Sequence, residues 1–340
     1  MKVLDLVVPG LLGPFSNDLP VYFPDELNQA EFKTLNTWLS RASVSEIKAD
    51  GYYATLHSLI YPQCDLSVCQ LTAEFDQVTV ASAEEYLYRV DPVHFKAESD
   101  HAVLLGSQLL EIEMDEAQQL IEAFNEHFIE DELTLYMGSA DRWYLKTIKP
   151  LRLSFNSVDF SLGRDIKHFM PEGEDALWWR KILNEAQMLF FQHNVNQQRD
   201  ENRQLGINGL WIWDESFSVS DLSKEYNTVY SDDAFACALA SKSGVKVKNT
   251  FDTKPQEHCV LVLEEVYEAV CYGDVDAWLR ALRGFCQAHL LEIQSLMNSN
   301  KISGVNIYPC DGRVFYIDRW QLLKLWKWVK TLDNYVIKVS

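Results

Sequence analysis

His193, Asn196, Asp200 and Arg203 stand three and four residues apart in the middle of the chain, with Arg199 and Asn208 close by. On a helix that spacing would carry the first four along one face. An imidazole, an amide and a guanidinium on a shared edge offer a proton-transfer group, a donor and acceptor pair, and a two-pronged fork for an anion. The same residue types also make an ordinary solvated helix end. The first reading predicts a ligand-binding edge built from His193, Asn196, Arg199 and Asn208.

Something must position that edge. Trp179, Ile182, Leu183, Ala186, Leu189 and Phe190 repeat at the helical period, which predicts one long helix from Trp178 with a buried face in its first half and a polar second half. Gly206 supplies a stop. Leu210-Trp211-Ile212-Trp213 is too aromatic and β-branched for a loop and reads as a strand.

Earlier in the chain, Lys2–Val8 reads as a buried strand rather than a targeting signal, because Asp5 interrupts it and Pro9-Gly10 break it. Helices are expected over Glu31–Arg41 and Leu66–Phe75, and strands over Tyr86–Val93 and Ala102–Ile112. Asp115 should cap a helix over Glu116–Phe128, followed by a hairpin of Leu133–Tyr136 and Arg142–Thr147. From Leu210 onward strand and helix alternate, the pattern of a mostly parallel sheet covered by helices. Within it Val275–Met297 has the cleanest apolar stripe, which makes His289 a core histidine, and a Trp-rich helix is expected over Trp320–Leu332. Trp320, Trp326 and Trp328 would cover the chain's own sheet, or dock onto another chain.

Composition excludes several classes. Of 340 residues 47% are apolar, so the chain can bury a sizeable core. Fifty Asp and Glu against 30 Lys and Arg give a formal charge of -20, which repels a phosphate backbone and argues against nucleic acid as partner. No run of about 18 apolar residues occurs, so no membrane partner is expected. The seven cysteines are scattered without a C-x-x-C pair and read as reduced thiols of a cytoplasmic chain. There is no G-x-G-x-x-G, no Walker loop and no G-x-S-x-G elbow. His94 and His101 are the closest histidines, and no H-E-x-x-H occurs.

Five segments carry a family likeness: Arg89-Val90-Asp91-Pro92-Val93-His94-Phe95-Lys96-Ala97, Asp141-Arg142-Trp143-Tyr144-Leu145, Leu183-Asn184-Glu185-Ala186-Gln187-Met188, His193-Asn194-Val195-Asn196 with Arg199, and Ile207-Asn208-Gly209-Leu210-Trp211-Ile212-Trp213. In order and spacing they resemble the RPFE-type regulatory protein family of bacteria. That family is in turn similar to archaeal-type, cofactor-independent phosphoglycerate mutases of the alkaline phosphatase superfamily. The resemblance implies an alkaline-phosphatase-like α/β core formed by residues 1–80 and 205–340, with residues 86–204 as an α+β insertion that carries the long helix.

The chain departs from the mutase pattern where the chemistry sits. Val8-Pro9-Gly10 replaces a metal-binding Asp-Gly, Asn194 replaces a proline, Trp213-Asp214-Glu215 stands where the mutases keep an arginine, and Asn306–Asp311 supplies only Asp311 for an Asp-His metal pair. The expectation is a non-catalytic regulatory or ligand-binding protein, with a small phosphorylated metabolite or a protein as partner and no cofactor. The alternative is a metal-dependent phosphomutase or phosphatase. It would use Ser67 as nucleophile, Asp65, His94 and Asp311 as ligands to Mn²⁺ or Mg²⁺, and Arg199 as phosphate clamp.

Overall fold

Leu4 and Leu6 point to one side of the strand β1 (Val3–Val7) and Asp5 and Val7 to the other, and all four are buried. A strand covered on both faces lies inside a helix-flanked sheet. The computed structural model, which describes residues 2–16, 27–61, 67–78, 85–217, 226–251 and 258–339, places β1 at the centre of such a sheet.

The chain continues through α1 (Lys33–Arg41), β2 (Ser43–Asp50) and α2 (Tyr52–Ile60). It then builds α3 (Val68–Phe75), β3 (Tyr86–Ala97), β4 (Ala102–Leu105), α4 (Met114–His127), β5 (Thr134–Ser139) and β6 (Arg142–Thr147). Helices α5 (Ala176–Gln192) and α6 (Asn194–Glu201) lead to β7 (Gly209–Glu215). The last third holds β8 (Thr228–Tyr230), α7 (Ala234–Lys242), β9 (Lys246–Lys248), β10 (Cys259–Val262), α8 (Val275–Phe285), α9 (Leu291–Asn298), β11 (Gly304–Tyr308), β12 (Asp311–Asp318) and α10 (Arg319–Leu322).

These elements form two units, Met1–Cys64 with Asp221–Ser340, and Asp65–Ser220. The division falls elsewhere than the sequence suggested. Strand β7 pairs antiparallel with β3, Gly209 opposite Val93, and α3 packs on both strands, so these two elements belong to the second unit and not to the core.

The first unit is a mixed α/β structure around a seven-stranded sheet in the order β9-β8-β10-β1-β11-β12-β2. The strands from β9 to β11 run parallel, and β12 and β2 add an antiparallel edge. On one face Leu4, Leu6, Leu261, Val305 and Ile307 meet Trp278, Leu282, Phe285 and Ile293 from α8 and α9. Trp278 satisfies its buried indole N–H on the Gly10 carbonyl at 3.0 Å.

The expected single helix over Val275–Met297 is interrupted by a π turn at Cys286–Leu290. The extra residue per turn rotates His289 out of the apolar stripe. His289 is therefore a correction to the core reading: its side chain is 23% exposed and meets Glu265 at 3.1 Å. The helix expected over Trp320–Leu332 is also shortened to the four residues of α10.

The second unit is built on an antiparallel sheet, β7-β3-β6-β5, with β4 also paired to β3. Helix α4 begins in a capping box of Glu113 and Glu116 rather than at Asp115. Among the described residues no helix is long and apolar enough to cross a membrane.

Candidate functional site

The predicted ligand edge is taken apart by a break at His193. Its backbone is extended (φ -71°, ψ 143°), ending α5 and starting α6, and its ring Nδ1 accepts from the Val195 N–H at 3.3 Å. One long helix is thus two, and the polar residues no longer continue the apolar stripe. The chain leaves α6 through Arg203 in the left-handed region (φ 60°), three residues before the expected stop at Gly206.

Each remaining member of the edge is spent on the fold. Asn196 is buried, donates from Nδ2 to the carbonyls of Phe190 at 2.7 Å and Ile207 at 2.8 Å, and accepts the Ile207 N–H at 2.7 Å. Arg199 is 1% exposed. Its guanidinium donates to the Leu205 carbonyl at 2.8 Å, to Glu116 at 2.6 Å and to the Leu110 carbonyl. Asn208 acts as an extra strand residue, accepting the Phe95 N–H at 2.7 Å and donating to its carbonyl at 3.2 Å. The residue types are those of a binding edge, and in this structure internal carbonyls and amides engage their hydrogen-bonding groups.

Ser67 is fully buried at the N-terminus of α3. Its Oγ accepts from Gln70 N–H at 2.8 Å and donates to the Glu215 carbonyl at 2.9 Å, a helix cap in place of a nucleophile. The metal candidates also disperse. Asp65 lies outside the described residues. In the second unit His94 Nδ1 sits 2.7 Å from the Gly206 carbonyl, which can only accept, so that nitrogen carries the proton. In the first unit Asp311 accepts from the backbone N–H and the Nε of Arg313, both at 3.0 Å. Among the described residues no three His, Cys, Asp or Glu side chains gather so as to hold a metal ion.

What sequence spacing could not show is two clusters brought together by strand pairing. In the second unit Arg142 grips Asp76 with two bonds of 2.6 and 2.7 Å, and Tyr144 donates to the same carboxylate at 2.6 Å. Beside it Arg89 binds Asp91 at 2.6 Å under the rings of Trp213 and Tyr144, and Trp213 donates to Asp91 at 2.7 Å. Burial pushes the Asp91 carboxyl up, and the Arg89 guanidinium opposes it. Three of the five segments that carried the family likeness, Arg89–Ala97, Asp141–Leu145 and Ile207–Trp213, meet in this network.

In the first unit the parallel strands β8 and β10 are neighbours, so the residues just past their carboxyl ends, Asp232, Asp233 and Glu264, come together. Binding sites of open α/β sheets form at such strand ends. Asp233 caps α7, accepting the Ala236 N–H at 2.7 Å. Burial, then the charges of Asp233 and Asp232, push the Glu264 carboxyl up to about 8. Tyr52, buried on α2, is pushed well above its usual phenol value by burial, then by the charges of Asp233 and Glu264. Aromatic rings surround this corner: Tyr52 stacks at 5.3 Å from Tyr53 and 6.1 Å from Tyr267, and Tyr53 at 5.2 Å from Phe235. Deeper on β1, Asp5 accepts from Asn306 at 2.7 Å, Tyr226 at 2.9 Å and Tyr308 at 3.3 Å. Burial pushes Asp5 up, and these three donors moderate the shift.

No family model matches the chain, and no curated protein matches it. Among solved structures, the chain is similar to the PH0037 protein of Pyrococcus horikoshii, with a TM-score of 0.48 at 13% identity over 93% of this chain and 87% of that one. It is also similar to a cofactor-independent phosphoglycerate mutase of Thermoplasma acidophilum, with a TM-score of 0.36 at 13% identity over 94% and 90% of the two chains.

Proposed function

We propose that this chain is a non-catalytic ligand-binding protein of the regulatory kind, which takes a small organic cation at the Glu264 corner of its parallel sheet. The observation that carries the reading is the gathering of Asp232, Asp233 and Glu264 beside Tyr52 and Tyr53, with the Glu264 carboxyl pushed up to about 8. Like charges held together in partial burial favour the arrival of a positive charge, and phenol rings add attraction for an ammonium through their faces. A phosphate would be repelled by the same three groups.

The binding role is favoured over phosphoryl transfer by where the candidate machinery is used. Both the proton and a lone pair of Ser67 serve the cap of α3, and the Arg199 guanidinium is engaged by Glu116 and two carbonyls. A nucleophile needs its oxygen exposed to a base, and a clamp needs an open fork. Membership of the RPFE-type family and a cytoplasmic setting belong with this reading.

Calorimetric titration tests it, with spermidine and 3-phosphoglycerate as probes, each with and without Mn²⁺. Spermidine should bind with release of a proton from Glu264, so its heat depends on the buffer's ionisation enthalpy. Glu264→Gln should weaken it by roughly tenfold or more. Saturable 3-phosphoglycerate binding that needs Mn²⁺, followed by turnover that Ser67→Ala abolishes, would overturn the proposal in favour of the mutase.

A further inference from the structure

Residues 319–330, Arg-Trp-Gln-Leu-Leu-Lys-Leu-Trp-Lys-Trp-Val-Lys, contain four cations and no acid in a chain whose acids outnumber its bases by 50 to 30. Their large apolar side chains are turned out. Trp320 is 79% exposed, Trp326 76%, Trp328 91%, Leu325 76% and Leu323 61%. A soluble surface rarely concentrates this much apolar area in one segment without a use for it.

The backbone beneath is held in place. Asp318 caps α10 through the Gln321 N–H at 2.7 Å, and Gln321 donates to Ser43 at 2.8 Å. At the far end the Lys330 N–H donates to Ser40 at 2.9 Å and Leu332 is fully buried. Lys327 reaches the Ala42 carbonyl at 3.4 Å, close to Val44, which is itself 54% exposed. The tryptophans therefore project from an anchored segment, and little ordering is needed before they make contact.

We propose that Arg319–Lys330 docks this protein onto the headgroup layer of an anionic lipid surface. Two features favour lipid over a protein partner. Past α10 the segment is neither helix nor strand until Leu332, so it presents no helix face and no free strand edge to a partner; a fluid interface needs neither. The composition is also interfacial: indoles seat at the headgroup level with the N–H towards water, and each lysine adds attraction to anionic headgroups. The charge sign fits, since the segment is locally cationic while screening at physiological salt mutes the acidic remainder of the chain beyond about 8 Å. That no helix among the described residues is long and apolar enough to cross a membrane bears only on crossing, not on this peripheral contact.

Co-sedimentation of the full chain with phosphatidylcholine vesicles, with and without phosphatidylserine, tests the proposal. Quenching of tryptophan by brominated lipid would read insertion depth. The protein should partition onto the anionic vesicles, more weakly at high salt. Trp326→Ser with Trp328→Ser should lower the partition by roughly tenfold or more. Lys324→Glu with Lys327→Glu and Lys330→Glu should abolish the preference for phosphatidylserine. Both tryptophans and Lys330 are exposed and Lys324 and Lys327 are half-buried, so an unchanged far-UV circular dichroism spectrum is the expected control on the fold of both variants. No partition of the parent onto either vesicle would overturn the proposal. So would a concentration-dependent dimer that the tryptophan substitutions convert to monomer, which would make the patch a contact between copies. Neither outcome touches the Glu264 reading.

Discussion

In the second unit Asp76 and Asp91 each face an arginine, whereas in the first unit Glu264 faces Asp233 and Asp232. Both arrangements are partly or wholly buried, and both come from strand pairing. The difference lies in who compensates. A guanidinium beside each aspartate closes the account within the fold, so the network positions β3, β6 and β7 and has nothing left to offer a ligand. Asp232 and Asp233 instead raise the affinity of Glu264 for a proton, and all three acids favour an arriving positive charge. Buried charge beside its opposite holds structure, and acids that raise one another's proton affinity mark where a cation can be read.

The comparison breaks most easily at Asp91. Asp91→Ala takes from buried Arg89 the carboxylate it binds at 2.6 Å, and the loss should be about 3–5 kcal/mol in urea unfolding. Replacing Arg89 and Asp91 together by Met and Leu should recover much of it, which would show the pair to be structural. A double variant as damaged as the single one would contradict that view.

Glu264→Gln should behave in the opposite sense. The folded carboxyl titrates near 8 against an ordinary 4.5, so the folded state holds its proton more tightly than the unfolded chain. That contribution is fully favourable at low pH and is lost as pH rises from about 4.5 through 8. The variant lacks this loss, so it should match the parent at pH 5 and exceed it above pH 8 by on the order of 5 kcal/mol in thermal melts. Equal melting curves at every pH would remove Glu264 from the argument.

Smaller effects refine the second unit. A Cβ on Gly138 would lie 2.2 Å from Asp76 Oδ2 and 2.7 Å from the Tyr144 ring. Gly138→Ala should therefore displace the Asp76 carboxylate from Arg142 and cost about 1–3 kcal/mol. Ser67→Ala removes a cap and should cost about 1 kcal/mol, with spermidine binding intact. An effect on binding larger than on stability would return Ser67 to the site.

Much of the architecture was legible because it follows local rules. The apolar stripes of α4, α5 and α8, the strand β3 and the β5–β6 hairpin are written in spacing that a short window can read. Strand β2 escaped notice because Ser43–Asp50 is an edge strand exposed at most positions, so it carries no apolar face to find. The break at His193 escaped for another reason: Asn196 closes onto both Phe190 and Ile207, a tertiary clamp that no helical period contains. The partners of Arg199 and Asn208, Glu116 and Phe95, escaped because they lie far away in the chain, where spacing does not reach. Glu264 and Asp233 are unremarkable acids in sequence. Only the strand order β8-β10 makes them neighbours.

The central position of β1 bears on how the protein is made. Val3 pairs with Gly304 on one side and Leu4 with Cys259 on the other, so β1 is made well before either of its neighbours in the sheet. The second unit, contiguous from Asp65 to Ser220, can complete its own sheet in the meantime. Synthesis should therefore proceed with an early, finished inner segment and β1 left waiting, a span during which chaperones would find it. Nascent chains arrested shortly after β9 would then show a protease-resistant second unit beside a β1 that is still cut, and protection of both at that length would point to another order of assembly.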